Sequence, residues 1–221
     1  MNAVVVIGIG RDNLLDLCLE TVERYCKKYS LALEVIREVK YGYKNSPNYH
    51  YINFEKNQVY EYFDKYERIL RLDSDVLITN ECPNIFEEMP NDKFCAVPED
   101  IGPRKLDRRN QIATAAKSFG SLMDCGRYFN SGVVLASKEH REIFNIQNID
   151  ITKYNLGPFK EQTLLNYNVC RDNIPTHWMT HKYNHMSMFD GDVRDSFIIH
   201  YAGAQAGKED KMRNDLKWII K

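Results

Sequence analysis

The sequence predicts an α/β fold: a mixed, mostly parallel central sheet flanked by helices. Three observations carry that expectation. Ala3-Val4-Val5-Val6-Ile7 is an unbroken apolar block closed by Gly8-Ile9-Gly10, the pattern of a strand buried on both faces. Leu14, Leu15, Cys18, Val22, Tyr25, Cys26 and Tyr29 then follow at helical spacing behind Asp12, which stands where an N-cap belongs. Strand-like and helix-like segments continue to alternate to the end of the chain.

The elements follow in order. A second strand at 33–37 completes a β-α-β opening. Residues 41–52, rich in Tyr, Asn, Gly and Pro, read as a loop. A helix is expected over 54–66, with Val59, Tyr62, Phe63 and Tyr66 on one side. Ile69-Leu70-Arg71-Leu72 is a short strand running into Asp73-Ser74-Asp75, and Phe94 to Val97 is another, stopped by Pro98. Residues 99–127 carry Arg104, Lys105, Arg108, Arg109 and Lys117 and predict a helix-containing excursion that could act as a lid. Strand character resumes over 128–136. Helices are expected at 138–146 and 158–168, the second opened by Pro158. A late strand at 197–199 ends at His200, and a terminal helix spans 209–220. The chain reads as a single domain over 1–221. Residues 1–98 form a first half, 99–127 the lid, and 128–221 a second half.

Composition narrows the chemistry. Thirty Lys and Arg against 31 Asp and Glu give a formal charge of −1, so no basic excess points to a nucleic-acid partner. An anionic ligand must be met by a few local cations or a metal ion. The six cysteines include no CxxC pair and no zinc-like spacing with His; Cys18, Cys26 and Cys95 read as small core residues, which favours a reducing compartment. The chain enters directly into its first strand, and no run approaches the ~18 apolar residues of a membrane span. Neither a signal peptide nor a span is expected.

The most informative stretch is Arg68-Ile69-Leu70-Arg71-Leu72-Asp73-Ser74-Asp75-Val76-Leu77-Ile78. Two carboxylates one residue apart at the end of a buried strand lie where α/β sheets bind ligands. Such anions repel, and leaving water raises their cost. A hard cation between them removes both penalties and brings phosphate oxygens as its other ligands. The plainer reading is two solvated acids capping a strand; the apolar runs on both sides weigh against it.

This segment resembles the D-x-D motif of nucleotide-sugar glycosyltransferases of the GT-A fold, especially the family-8 type that includes glycogenin and bacterial galactosyltransferases. Four further segments agree in order. Tyr128-Phe129-Asn130-Ser131-Gly132-Val133-Val134-Leu135 resembles the family's F-N-S-G strand. Glu161-Gln162-Thr163-Leu164-Leu165-Asn166 is similar to its D-Q-D-x-L-N helix start. Ile174-Pro175 to Trp178 resembles I/L-P-x-x-W, and Ile198-Ile199-His200-Tyr201-Ala202-Gly203 resembles I-x-H-F/Y-x-G. The likeness spans roughly residues 68–208. The chain departs from it at Arg71, commonly Tyr, at Thr163 in place of the second acid, and at Lys208, set two or three positions beyond the family's diphosphate-contacting Lys. Its compactness is similar to that of glycosyltransferase domains of large viruses and of multidomain polypeptides.

The resemblance implies a metal-dependent transfer of a hexose from a UDP-sugar to an acceptor hydroxyl, on a glycan or another molecule. Asp73, Asp75 and His200 would hold Mn²⁺, with Mg²⁺ as the alternative. Gly8, Ile9, Gly10 and Arg11 would lie along the nucleotide, and Ser74, Ser131, Gly203 and Lys208 would complete the donor site. Arg68 and Asn130 would hold the sugar, with Gln162 near the anomeric carbon. The family's stereochemistry is retention; an inverting transfer needs a carboxylate base, for which Glu99, Asp100 and Glu161 are available. The implied location is the cytoplasm, a host's if the protein is viral.

Rival readings remain open from the residues alone. Asn130-Ser131-Gly132 fits a β-bulge, Glu161 and Gln162 fit the first turn of any helix, and His200 fits a hydrogen-bonded core residue. Gly8 to Asn13 is similar to a dinucleotide fingerprint but lacks its third glycine, and a pyrophosphorylase's basic Gly-rich loop is missing. A haloacid-dehalogenase-like phosphatase would use Asp73 as nucleophile and Gly191-Asp192-Val193-Arg194-Asp195 as its late acidic motif. A non-catalytic module would bind the sugar nucleotide without turnover.

Overall fold

A computed structural model describes residues 1–10, 12–41, 49–121, 125–204 and 206–221; Arg11 and most of the expected 41–52 loop lie outside the described residues. The first strand, β1 (Asn2–Ile7), is followed by helix α1 (Asp12–Tyr29) and β2 (Ala32–Ile36), the expected β-α-β opening. Helix α1 lays Leu15, Cys18, Val22 and Cys26 on the sheet. Its close approach requires Gly8, where a Cβ would lie 2.4 Å from Leu15 Cδ2.

Further along come α2 (Val59–Tyr62), β3 (Arg68–Asp73), β4 (Val76–Ile78), α3 (Ile85–Glu88), β5 (Phe94–Pro98), α4 (Lys105–Ser118) and β6 (Phe129–Ser137). The chain finishes with α5 (Lys160–Arg171), β7 (Thr176–Trp178), β8 (Ile198–His200) and α6 (Lys208–Ile219). The main sheet has the order β2-β1-β3-β6-β5-β7. Pairs β1–β2, β1–β3 and β5–β7 are parallel, and β6 alone runs against its neighbours β3 and β5. A small antiparallel sheet joins β4 to β8. Apolar clusters fill both faces of the main sheet, as the unbroken apolar runs require.

Several expected helices take tighter forms. Residues 54–66 give a 3₁₀ segment, Tyr49–Gln58, and a single α turn. The buried Glu55 carboxylate accepts the backbone N–H groups of Lys40 (2.9 Å) and Tyr41 (3.1 Å) and the side-chain amide of Gln58 (2.8 Å). Such bonds compete with a regular helix. Residues 138–144 are likewise 3₁₀, closed by a reciprocal capping box between Ser137 and His140. The strand β7 was not expected; it is only three residues long and none of them is buried.

The cysteines divide. Cys18, Cys26, Cys82 and Cys95 are free and buried, and burial pushes the thiols of Cys26, Cys82 and Cys95 up to about 12. Cys125 and Cys170 form a disulfide that ties the segment after α4 to the end of α5. The reducing compartment read from the cysteines did not anticipate this bridge: sequence spacing carries no trace of a pair 45 residues apart that only the α4–α5 packing brings together. No helix among the described residues is long and apolar enough to cross a membrane.

Candidate active site

The carboxyl ends of β1 and β3 lie side by side, with Ile7 opposite Asp73 in the register. Because β6 is antiparallel to β3, its early residues reach the same edge, Val133 pairing with Leu72. Asn130 and Ser131 are thus carried beside the aspartates. The second sheet brings in the imidazole: Val76 pairs with His200, and the Tyr201 N–H donates to Asp75 O at 2.9 Å. The first turn of α5 supplies Glu161 and Gln162 from below.

These elements enclose a cavity of about 850 Å³. Its floor holds Asp73, Ser74, Asp75, His200 and Glu161; Ile7, Ile9 and Ile52 give one apolar wall. Arg104, Arg108, Phe159, Met186 and Met188 give a mixed wall of guanidinium and apolar groups. It opens into a shallower depression of about 880 Å³ lined by Gly10, Asn13, Gly203, Gly207 and Lys208.

One ligand atom each from Asp73, Asp75 and His200 lies within 4.8 Å of the others. His200 Nε2 stands 3.3 Å from Asp75 Oδ1 and 3.9 Å from Asp73 Oδ2. The other ring nitrogen, Nδ1, is 2.8 Å from Asn184 Oδ1, a bond that turns Nε2 towards the aspartates. The ring also needs Gly132: a Cβ there would sit 2.2 Å from His200 Cε1. That glycine gives the imidazole its space, a role the bulge reading of Asn130-Ser131-Gly132 does not supply.

The floor is neutralised from within. Lys56 Nζ is 2.7 Å from Asp73 Oδ2, and Lys208 Nζ is 2.6 Å from Asp75 Oδ2. Burial opposes ionisation of Asp75, but the hydrogen bonds and charges of His200 and Lys208 outweigh it and hold the carboxyl below the usual carboxylate range. Glu161 accepts from Arg71 (3.2 Å) and Ser131 Oγ (2.8 Å). Asp73 Oδ1 is buried with no hydrogen-bonding partner among the described residues.

Beside the floor, a network fixes the polar wall. Glu99 accepts two bonds from Arg108, at 2.8 and 2.6 Å. Its other oxygen accepts from Asn130 (3.1 Å) and Gln162 (3.0 Å). The Gln162 carbonyl in turn accepts from the Ser131 N–H and Asn130 Nδ2, both at 3.1 Å.

Some expected residues go elsewhere. Arg68 begins β3, five residues from Asp73 and at the opposite end of the strand; its guanidinium donates to Phe86 O, Met89 O and Pro90 O. It cannot hold a sugar in this cavity. Asp100 faces away, bonded to Arg127 at 2.9 Å, while Glu99 takes the place at the wall. The Gly8 N–H donates to Ile36 O, so Gly8 serves packing rather than the cavity lining. Asp192 caps an exposed turn by accepting from the Arg194 N–H, and neither it nor Asp195 lines the cavity, which removes the late acidic motif of the phosphatase reading. Sequence reasoning missed Lys56 and Asn184. Lys56 sits in a segment without a motif, and the only sign of Asn184 is a polar residue among aromatics.

The fold has known counterparts. The structure superimposes on a glycosyltransferase involved in glycosylation of the major capsid of PBCV-1, with TM-score 0.68 and 17% identity, over 96% of this chain and 98% of that one. It matches the galactosyltransferase LgtC, solved with donor and acceptor sugar analogues, with TM-score 0.69 and 15% identity, over 100% and 97%. Mouse xyloside xylosyltransferase 1 is more distant, with TM-score 0.52 and 13% identity, over 90% and 97%. At these identities the likeness establishes the GT-A fold. No curated protein matches the sequence. The family model "Glycosyl transferase family 8" matches residues 7–206, nearly the whole chain and every residue that lines the inner cavity. The chain therefore belongs to glycosyl transferase family 8 and is a glycosyltransferase.

Proposed function

We propose that this glycosyltransferase moves a hexose from a UDP-sugar to an acceptor hydroxyl, on a glycan or another molecule, with Asp73, Asp75 and His200 holding Mn²⁺ or Mg²⁺. The supporting observation is the convergence of two carboxylates and one imidazole within 4.8 Å, with Asp73 Oδ1 buried and without a hydrogen-bonding partner among the described residues. Two hard oxygen donors and a neutral imidazole suit such an ion. When bound, it supplies Lewis-acid and electrostatic stabilisation of a diphosphate leaving group.

The chain's own residues do the rest. Ile7 and Ile9 offer an apolar face to the base, and Gly10, Gly203 and Lys208 line the adjoining depression where a diphosphate would extend. Asn130, Gln162 and Glu161 present polar atoms to the sugar, already oriented by Glu99, Ser131 and Arg71. Glu99 and Glu161 are each engaged by a guanidinium, which leaves neither poised as a base over an acceptor and favours retention. The segment 99–127 carries Arg104, just before α4, and Arg108 of α4, which both reach the cavity wall, and we read it as the lid that excludes water. The halves 1–98 and 128–221 then supply the nucleotide and sugar sides of one domain. The Cys125–Cys170 disulfide weighs against the cytoplasm expected from the cysteine spacing, and thiol titration of freshly isolated, denatured protein decides it: four thiols mark the oxidised bridge, six a reducing compartment.

A thermal-shift panel of nucleotide sugars with and without Mn²⁺ tests the reaction class. UDP-sugars should stabilise the protein only when the ion is present. No shift with any nucleotide sugar in Mn²⁺ would sink the reading.

A further inference from the structure

Each acid of the cavity floor is already paired with a cation. Three carboxylates, Asp73, Asp75 and Glu161, face three cations, Lys56, Lys208 and Arg71. Each carboxylate has a nearest cation within 3.2 Å, and all six side chains are largely shielded from water. The Lys56 ammonium is also 3.7 Å from Glu161 Oε2, so it stands between two acids and touches the nearer one.

A divalent cation entering between Asp73 and Asp75 adds two positive charges to a floor whose acids are already paired. In a partly buried site such an excess is costly, because little water screens it. The two ammonium groups each hold the Oδ2 atom of a carboxylate that would ligate the ion, close enough to repel it. We infer that Lys56 and Lys208 are built-in counter-ions of the two aspartates, and that Lys56 has a second berth at Glu161 to which it moves when Asp73 takes up an ion. This rests on the proposed metal-dependent transfer and adds a consequence to it. The ion binds weakly by itself, and strongly only with a diphosphate whose negative charge offsets the displaced lysines. Arg71 has a part in this. By holding Glu161 from beneath, it keeps the second berth in place, 3.7 Å from the Lys56 ammonium.

The two lysines differ in where they can go. Lys208 begins α6 and lines the outer depression, so its ammonium can follow a diphosphate there. Lys56 lines the inner cavity and, among the described residues, has only Glu161 as an alternative acid within 4 Å. Removing the Lys56 charge should therefore loosen the dependence of ion binding on nucleotide.

The test is Mn²⁺ binding by the full chain, read from the loss of the free-ion EPR signal at fixed ionic strength, with and without UDP. Lys56→Met and Lys56→Gln should bind Mn²⁺ alone about tenfold more tightly than wild type, the equivalent of one modest ion pair no longer displaced. Lys56→Arg, which keeps the charge, should stay close to wild type. The enhancement of Mn²⁺ affinity by UDP should shrink in the two neutral variants. Circular dichroism melts identify any variant that fails to fold, and either neutral variant suffices. If wild type binds Mn²⁺ with UDP and a folded neutral variant binds Mn²⁺ alone no more tightly than wild type, the counter-ion role is overturned and the transferase reading stands. If no protein takes up Mn²⁺ even with UDP, both fall.

Discussion

The floor of the cavity and its outer wall are built by different means. The floor residues sit at strand ends whose backbone pairing fixes them: Asp73 beside Ile7, and His200 opposite Val76, next to Asp75. The wall is positioned by side chains, with Arg108 of α4 holding Glu99, and Glu99 holding Asn130 and Gln162. Register is set by many backbone bonds at once, whereas a side-chain chain can be cut at one link. The difference separates the groups expected to carry the chemistry from those expected to tune it.

The largest effect should come from the floor. Asp75→Ala and His200→Ala should lower sugar transfer by about 10²–10³-fold, the scale of losing one preorganised electrostatic partner. A UDP-release assay over a Mn²⁺ series measures it. Undiminished Mn²⁺ dependence in either variant would break the distinction.

Gly132→Ala tests the floor without removing a polar group. The new methyl would meet the His200 ring at 2.2 Å, so the ring must turn or β6 must shift. Overpacking of this kind costs about 1–3 kcal/mol, and the displaced ring should weaken Mn²⁺ binding in the presence of UDP. A stable variant with wild-type ion affinity would show that the ring's position is not critical.

The wall should respond more mildly. Arg108→Met leaves Glu99 its two amide donors but removes the guanidinium, and transfer should fall by about tenfold, mostly in kcat. The same substitution should leave Mn²⁺ affinity unchanged, because Arg108 touches no floor carboxylate. A loss as large as that of Asp75→Ala would merge the two regions into one unit.

The smallest effect on the reaction should come from the bridge behind the wall. Cys125→Ser should lower unfolding stability by about 2–4 kcal/mol. Ion binding should be unaltered, since neither cysteine lines the cavity. Chemical denaturation with and without reductant reads it directly.

Much of this was legible in the residues. The apolar block before Gly8 marks β1, and the apolar flanks of Asp73-Ser74-Asp75 place that pair at a strand end, because a strand buried on both faces has to be apolar throughout. The likeness of five ordered segments to family 8 also pointed to His200. Arg68 and Asp100 misled for one reason: closeness in sequence to a site residue says nothing about which end of a strand, or which side of a turn, a side chain occupies. Lys56 and Asn184 carry no motif, since their roles arise from contacts with residues 17 and 16 positions away.

The sequence by itself determined the fold class, the strand that bears the two aspartates and the family to which the chain belongs, because hydrophobic periodicity and ordered motifs are local patterns. Only the tertiary structure decided which cations neutralise those aspartates, why position 132 has to be glycine, and that Cys125 reaches Cys170. Those depend on which distant segments the sheet register and helix packing bring within a few ångströms of one another.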